Sequence, residues 1–391
     1  MQRLFSFYYF VFFVAMAATQ PFLSLYLSGK GIDSTHIGFL LAAGSGAGMF
    51  AQPILGSLND QASDPRRILI LSALLSPILY AGYALTRQFW PLLLVAVLYA
   101  IAQSTAPIMD AITVQEGARS GFAYGKIRLW GALSFALTTM VAGYIYHLIG
   151  IQASFIVYGG LSVILILAIL LLPKTKSLQP SQDKLLQGIL QVARGPALIT
   201  FIVICFILSM AISINFSFLP LYFQDLHYPM GWVGMNFTVA ALVEVPFFYI
   251  SSRIIKRLGL MPVVILASIL YTLKYTVMIF NPGAAVVISI QVLDGIAYAL
   301  YWSAAVQLVS NLSPNGKTAT AQTLFGAIAG SLSGIVGTSF GGWFLEQFGP
   351  LLLYGCVTGL GALSVCCFIL FARFTRQSVS SDFDSVQLDV H

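Results

Sequence analysis

The chain is 391 residues long, 58% hydrophobic and only 8% charged, with a formal net charge of +6. A soluble protein carries about 25% charged residues, so this composition excludes a water-soluble globular domain and makes the lipid bilayer the natural solvent. The net positive charge would fit a nucleic-acid partner, but the placement of the bases along the chain argues against one.

Apolar runs of about 20 residues predict twelve membrane helices. The first six cover about 4–28, 35–58, 68–86, 90–116, 125–148 and 151–172. A polar connection, 173–196, follows, and six more runs cover about 197–224, 231–252, 261–280, 284–310, 318–345 and 350–372. The expected organisation is an N-terminal six-helix bundle (1–172), a cytoplasmic linker (173–196), a C-terminal six-helix bundle (197–372) and a polar, disordered cytoplasmic tail (373–391). The first run has one basic residue ahead of it, Arg3, and stays apolar through Pro21 to Leu27, which argues against a cleaved signal peptide. Cys205, Cys356, Cys366 and Cys367 fall inside apolar runs at spacings that suit neither a zinc site nor a disulfide framework.

With the N-terminus inside, fifteen of the nineteen Lys and Arg residues fall in cytoplasmic segments. Lys30 and Arg87 are external, and Arg128 and Lys274 lie within helices. This is the positive-inside bias. It puts both termini in the cytoplasm and accounts for the basic charge without a polyanionic partner. The expected setting is multi-pass, in a bacterial inner or plasma membrane.

FLSLYL at 22–27 returns as FLPLYF at 218–223, an offset of 196, and Gly38 returns as Gly234 at the same offset. GYIYHLIG at 143–150 is echoed by GWFLEQFG at 342–349, matching Gly143 with Gly342 and Gly150 with Gly349. Two duplicated six-helix halves follow. Six is an even number, so both halves enter from the same side and are parallel repeats about an axis along the membrane normal.

On these features the chain resembles a major facilitator superfamily transporter along its whole length. GSLNDQASDPRR at 56–67 is similar to the superfamily signature between helices two and three, with Gly56, Asp60, Arg66 and Arg67 in place. The resemblance implies that these four belong to a cytoplasmic gate. SSRIIKRLG at 251–259 is a degenerate second copy, without the Asp. YGKIRLWGALSF at 124–135 resembles the branch that holds lactose permease, nucleoside–proton symporters and phenylpropionate-type permeases. Asp110 and Arg128, 18 residues apart, match the spacing of that permease's sugar-binding acid and arginine. Lys274 and Asp294, 20 apart, stand where it has an arginine and a histidine. The departures are Phe135 at the sugar-stacking tryptophan position, Ala297 at the proton-carrying glutamate and Asp294 at the histidine. They count against a galactoside and against a lactose-type proton relay transferred unchanged.

Five charges are expected inside the membrane: Asp110, Arg128, Glu244, Lys274 and Asp294. Each costs about 2.5–3.5 kcal/mol at the bilayer centre on insertion scales, so each should face the bundle interior and find a partner. Helical rise puts Asp110 about 10 Å and Arg128 about 6 Å from the cytoplasmic ends of their helices, and Lys274 about 10 Å and Asp294 about 16 Å from the outer face. Two pairs are expected, Asp110–Arg128 and Lys274–Asp294, each open to reading as a static strut. Glu244 is left without a partner, and a desolvated, unpaired carboxyl tends to hold a proton. Glu244 and Asp294 are therefore the expected proton-coupling sites. Asp110, Arg128, Gln103, Lys274, Tyr298 and Trp302 are the expected substrate-binding residues.

The reading is an all-α membrane protein with the major facilitator fold, a secondary transporter moving a small organic solute by proton symport. An aromatic or other organic acid, a nucleoside or a sugar would fit. A proton-driven exporter and a transporter-derived sensor stay open as alternatives. The four histidines form no HExxH pattern and no nucleophile–base pair, and there is no phosphate-binding loop. No enzyme activity and no cofactor beyond the proton gradient is expected. The expected partners are solute, protons and lipid, with a monomer as the family default.

Overall fold

The computed structural model describes residues 1–61, 64, 66–122, 124–173, 195–314 and 317–388; side chains at 57, 60, 61, 118, 125, 319 and 375–388 fall outside the description. The described residues are helical almost throughout, because in hydrocarbon every backbone N–H and C=O must be satisfied within its own segment. The N-terminal spans are one (Gln2–Gly29), two (Ser34–Gln61), three (Arg66–Leu85), four (Phe89–Gln103 with Ala106–Ser120), five (Tyr124–Ile149) and six (Ala153–Leu171). The C-terminal spans are seven (Pro196–Asp225), eight (Met230–Leu258), nine (Leu260–Ile279) and ten (Ala284–Leu312). Spans eleven and twelve come from one 55-residue apolar stretch, Thr320–Phe374. Gly349 divides it, at φ 76° and ψ 174°. Twelve crossings result among the described residues. The expected linker lies almost wholly outside the described residues.

The repeat is physical. Gly150 and Gly349, matched in sequence, both take left-handed φ (91° and 76°) and both end a span, a conformation that only glycine adopts at no steric cost.

Two prolines do more than kink their helices. Pro21 interrupts span one with a 3-10 turn, Gln20–Phe22. The Tyr146 hydroxyl donates to the Ala18 carbonyl at 2.8 Å beside the break. Pro107 opens a new helix after a break at Ser104, and the Ser72 hydroxyl donates to the Ala102 carbonyl there. Span eleven contains a wide π segment, Gly326–Leu332, that the sequence pattern does not announce. At the C-terminus the expected disordered tail is a helix to Leu388. Residues 373–388 contain neither Gly nor Pro to stop it.

The end of the bundle that carries Met1, Arg66 and Gly195 is termed basal here, and the end with Lys30, Thr86 and Gly150 distal. The two halves meet in the distal half and at mid-height. A Cβ built on Gly38 would lie 2.3 Å from the Thr338 carbonyl oxygen and 3.1 Å from the Gly342 Cα. One on Gly234 would lie 2.2 Å from the Thr139 carbonyl oxygen. Gly143 likewise abuts Gly234, at 3.2 Å. These are the glycines the repeat pairs, and they form two pseudo-symmetric crossings, span two on eleven and span eight on five. Polar contacts reinforce both. Thr238 donates to the Ala136 carbonyl at 2.7 Å and meets Thr139 at 3.0 Å. The Ser34 backbone N–H donates to Glu346 at 2.8 Å, joining the halves at the distal surface.

Candidate functional site

Between the halves lies a cavity of about 770 Å³, closed distally by the glycine crossings. Tyr124, the first residue of span five, and Tyr249, in the basal third of span eight, line its basal part. The walls are aromatic. Tyr298 and Trp302 stack nearly parallel, 15° apart with centroids at 6.2 Å, and Phe248 meets Tyr298 edge-on.

Arg128 enters from span five. Its guanidinium lies 4.2 Å from the centre of the Phe13 ring. Phe13 sits there because Gly131 is bare; a Cβ on Gly131 would come within 2.5 Å of the ring. Arg128 makes no ion pair among the described residues. Here the expectation fails: Asp110 does not pair with Arg128. Its carboxylate accepts from the Tyr9 hydroxyl and, at 3.0 Å, from the Tyr124 hydroxyl. Tyr124 and Arg128 are four residues apart on one helical face, and the tyrosine takes the carboxylate that the arginine was expected to hold.

The second expected pair forms. Lys274 is fully buried, and its Nζ lies 2.5 Å from Asp294 Oδ1. Lys274 does not line the cavity; Asp294, at 22% side-chain exposure, stands between. Glu244 lines the cavity without a hydrogen bond or ion pair among the described residues. It lies within Coulombic reach of both Asp294 and Arg128. Gln103 is in neither group. It donates to the Tyr99 and Tyr158 hydroxyls, both at 2.8 Å, beside a crevice of about 20 Å³ inside the N-terminal half, room for one water molecule. Tyr298 and Trp302 line the cavity as expected residues of its wall.

At the expected gate, Arg66 pairs with Asp64 at 2.8 Å and donates to the Leu172 carbonyl at 2.9 Å, tying the two–three connection to the end of span six. Arg67 is exposed, Gly56 has open space around it, and the Asp60 side chain falls outside the described residues. Sequence reasoning missed Tyr9 and Asn236. Asn236 is 1% exposed, lines the cavity and carries an Oδ1 without a partner. Its position in the apolar first third of span eight, two turns before Glu244, was the available signal.

The sequence model of the MFS_1 like family matches residues 3–356. The chain belongs to this family. A maltose permease of Geobacillus stearothermophilus is 27% identical, covering 96% of this chain and 95% of that one. A probable 3-phenylpropionic acid transporter of Escherichia coli (strain K12) is 23% identical over 87% of this chain and 90% of its own. Among solved structures, the nucleoside transporter NupG superimposes with a TM-score of 0.84 at 16% identity, covering 95% of this chain and 98% of that one. Family and relatives are permeases, so the chain is a multi-pass membrane transporter of small molecules and not an enzyme.

Proposed function

We propose that the chain is a proton symporter that carries a small organic solute through the central cavity by alternating access. The observation that carries this reading is that two charges without an ion pair among the described residues face one cavity, Arg128, stacked on Phe13, from the N-terminal half and Glu244 from the C-terminal half. With no solute bound, the Glu244 carboxylate balances Arg128 across the cavity. A solute group that engages Arg128 removes that balance, and Glu244 then takes a proton because a buried, unpaired carboxylate is costly. Solute and proton load together. Asp294, already held by Lys274, is the second proton site, opened when that pair loosens.

The basal face is read as cytoplasmic because the basic residues cluster on that side. The glycine crossings then close the outer side, and the conformation is inward-facing. Gly56, Asp60, Arg66 and Arg67 are read as the cytoplasmic gate that forms when the halves rock the other way. Relatives named for maltose and phenylpropionic acid support a sugar or an organic acid as solute, and the working unit is read as a monomer. Uptake into proteoliposomes under an imposed proton gradient is the test. Wild type should accumulate solute only with an acidic exterior, and Glu244→Gln should abolish the gradient dependence while leaving equilibrium exchange. Gradient-driven uptake by Glu244→Gln equal to wild type would remove Glu244 as the proton carrier.

A further inference from the structure

The distal, closed end of the cavity is built differently from its middle. Three carboxamides line it there, Asn215 on span seven, Asn236 on span eight and Gln291 on span ten. Phe216 and Phe237, the residues that follow the two asparagines, are in ring contact at 5.3 Å, which places spans seven and eight side by side at this level. Span ten runs beside span eight, with Gly295 against the Ala240 carbonyl, so Gln291 falls one turn towards Asn236.

Their hydrogen-bonding capacity is largely unspent. Asn215 Oδ1 accepts from the Tyr354 hydroxyl at 3.4 Å, and its amide donors have no partner among the described residues. Asn236 is 1% exposed and makes no side-chain hydrogen bond among the described residues, with Oδ1 orphaned. Gln291 commits Nε2 to the Val287 carbonyl at 3.1 Å and leaves its oxygen. A buried polar atom without a partner is rare and costly, and Asn236 Oδ1, at the end of a ligand-sized cavity that the Asn215 amide and the Gln291 oxygen also line, points to groups that arrive with the ligand. Uncommitted donors and uncommitted acceptors thus line the same end of the cavity. A carboxylate or a hydrocarbon ring satisfies at most one kind, whereas a hydroxyl satisfies both.

The other pole is Arg128, opposite Glu244. Glu244 and Asn236 are eight residues apart on one helix, about 12 Å along its axis, close to the length of two linked pyranose rings. The stacked Tyr298 and Trp302 offer flat apolar faces between the poles. Resting on the transport reading above, we infer that the solute is an acidic disaccharide: a uronic-acid ring whose carboxylate meets Arg128, linked to a neutral ring whose hydroxyls engage Asn215, Asn236 and Gln291.

The test is calorimetric binding to the full-length protein in detergent with three probes: cellobiouronate, its neutral counterpart cellobiose, and 3-phenylpropionate. Wild type should bind cellobiouronate at least tenfold more tightly than either of the others. Arg128→Gln should erase the preference over cellobiose. Asn236→Leu should weaken both sugars tenfold and leave 3-phenylpropionate unchanged. The wild-type ranking alone decides the matter if either variant fails to fold. Equal affinity for cellobiose and cellobiouronate removes the carboxylate pole, tightest binding of 3-phenylpropionate removes the hydroxyl pole, and no binding of any probe overturns the inference. Tight cellobiouronate binding with uptake indifferent to a proton gradient would uphold this inference and refute the symport mechanism instead.

Discussion

The glycine crossings offer the sharpest test of how the two halves move. In Gly38→Ala the new methyl would lie 2.3 Å from the Thr338 carbonyl oxygen, and in Gly234→Ala 2.2 Å from the Thr139 carbonyl oxygen. Both neighbours are backbone atoms in the middle of helices, so neither can swing aside. Overpacking of this kind costs about 1–3 kcal/mol. The cost falls only on the conformation in which the distal seam is shut. At 1.4 kcal/mol per factor of ten, each substitution should move the equilibrium about 5- to 150-fold towards distal opening. The measurement is the distance between spin labels at Gln88 and Gln224, both exposed near the distal surface on opposite halves, with the four native cysteines replaced. Both variants should populate a longer distance than the parent. Gly355→Ala, where a Cβ meets nothing within 4 Å, should leave the distribution alone. A folded Gly234→Ala protein with the parental distribution would refute the claim that close backbone approach governs closure.

Replacing one member of the buried pair, as in Lys274→Met, leaves Asp294 uncompensated and should cost about 3–5 kcal/mol; thermal unfolding in detergent should show the double variant with Asp294→Leu partly restored. Tyr9→Phe together with Tyr124→Phe releases Asp110 to compete for Arg128, and solute affinity should fall while expression and oligomeric state stay normal; unchanged affinity would mean that Arg128 stays on Phe13 regardless. At the distal surface, burial works against the Asp33 carboxylate, but the His36 backbone N–H at 2.8 Å and the His36 ring hold its pKa below the ordinary value. A depressed folded-state pKa gives stability that is present above the unfolded value and lost as pH falls through the folded one. Asp33→Asn should therefore lower the melting temperature at neutral pH and make no difference at strongly acidic pH, with the opposite pattern excluding a capping role.

Charge content, twelve apolar runs and the internal repeat were enough to determine a bilayer protein of two parallel halves. The reason is that lipid leaves a chain few choices: helices of fixed length, with charges confined to loops or to the interior. Gly38, Gly143, Gly234 and Gly342 were even legible as matched positions, because duplication copies the places where backbones must touch. The intramembrane charges were legible as a set, since their cost in lipid makes them stand out wherever they fall. Their partners were not. Lys274 and Asp294 sit on adjacent, directly packed spans, so spacing along the chain found them. Asp110 instead meets Tyr9, 101 residues away on span one, and nothing in a run of aromatic residues marks which hydroxyl will face a carboxylate. The freedom of Arg128, the withdrawal of Lys274 behind Asp294 and the carboxamide cluster of Asn215, Asn236 and Gln291 depend on helix rotation and on which spans adjoin. Those are decided by side-chain packing between distant segments, and only the tertiary structure contains it.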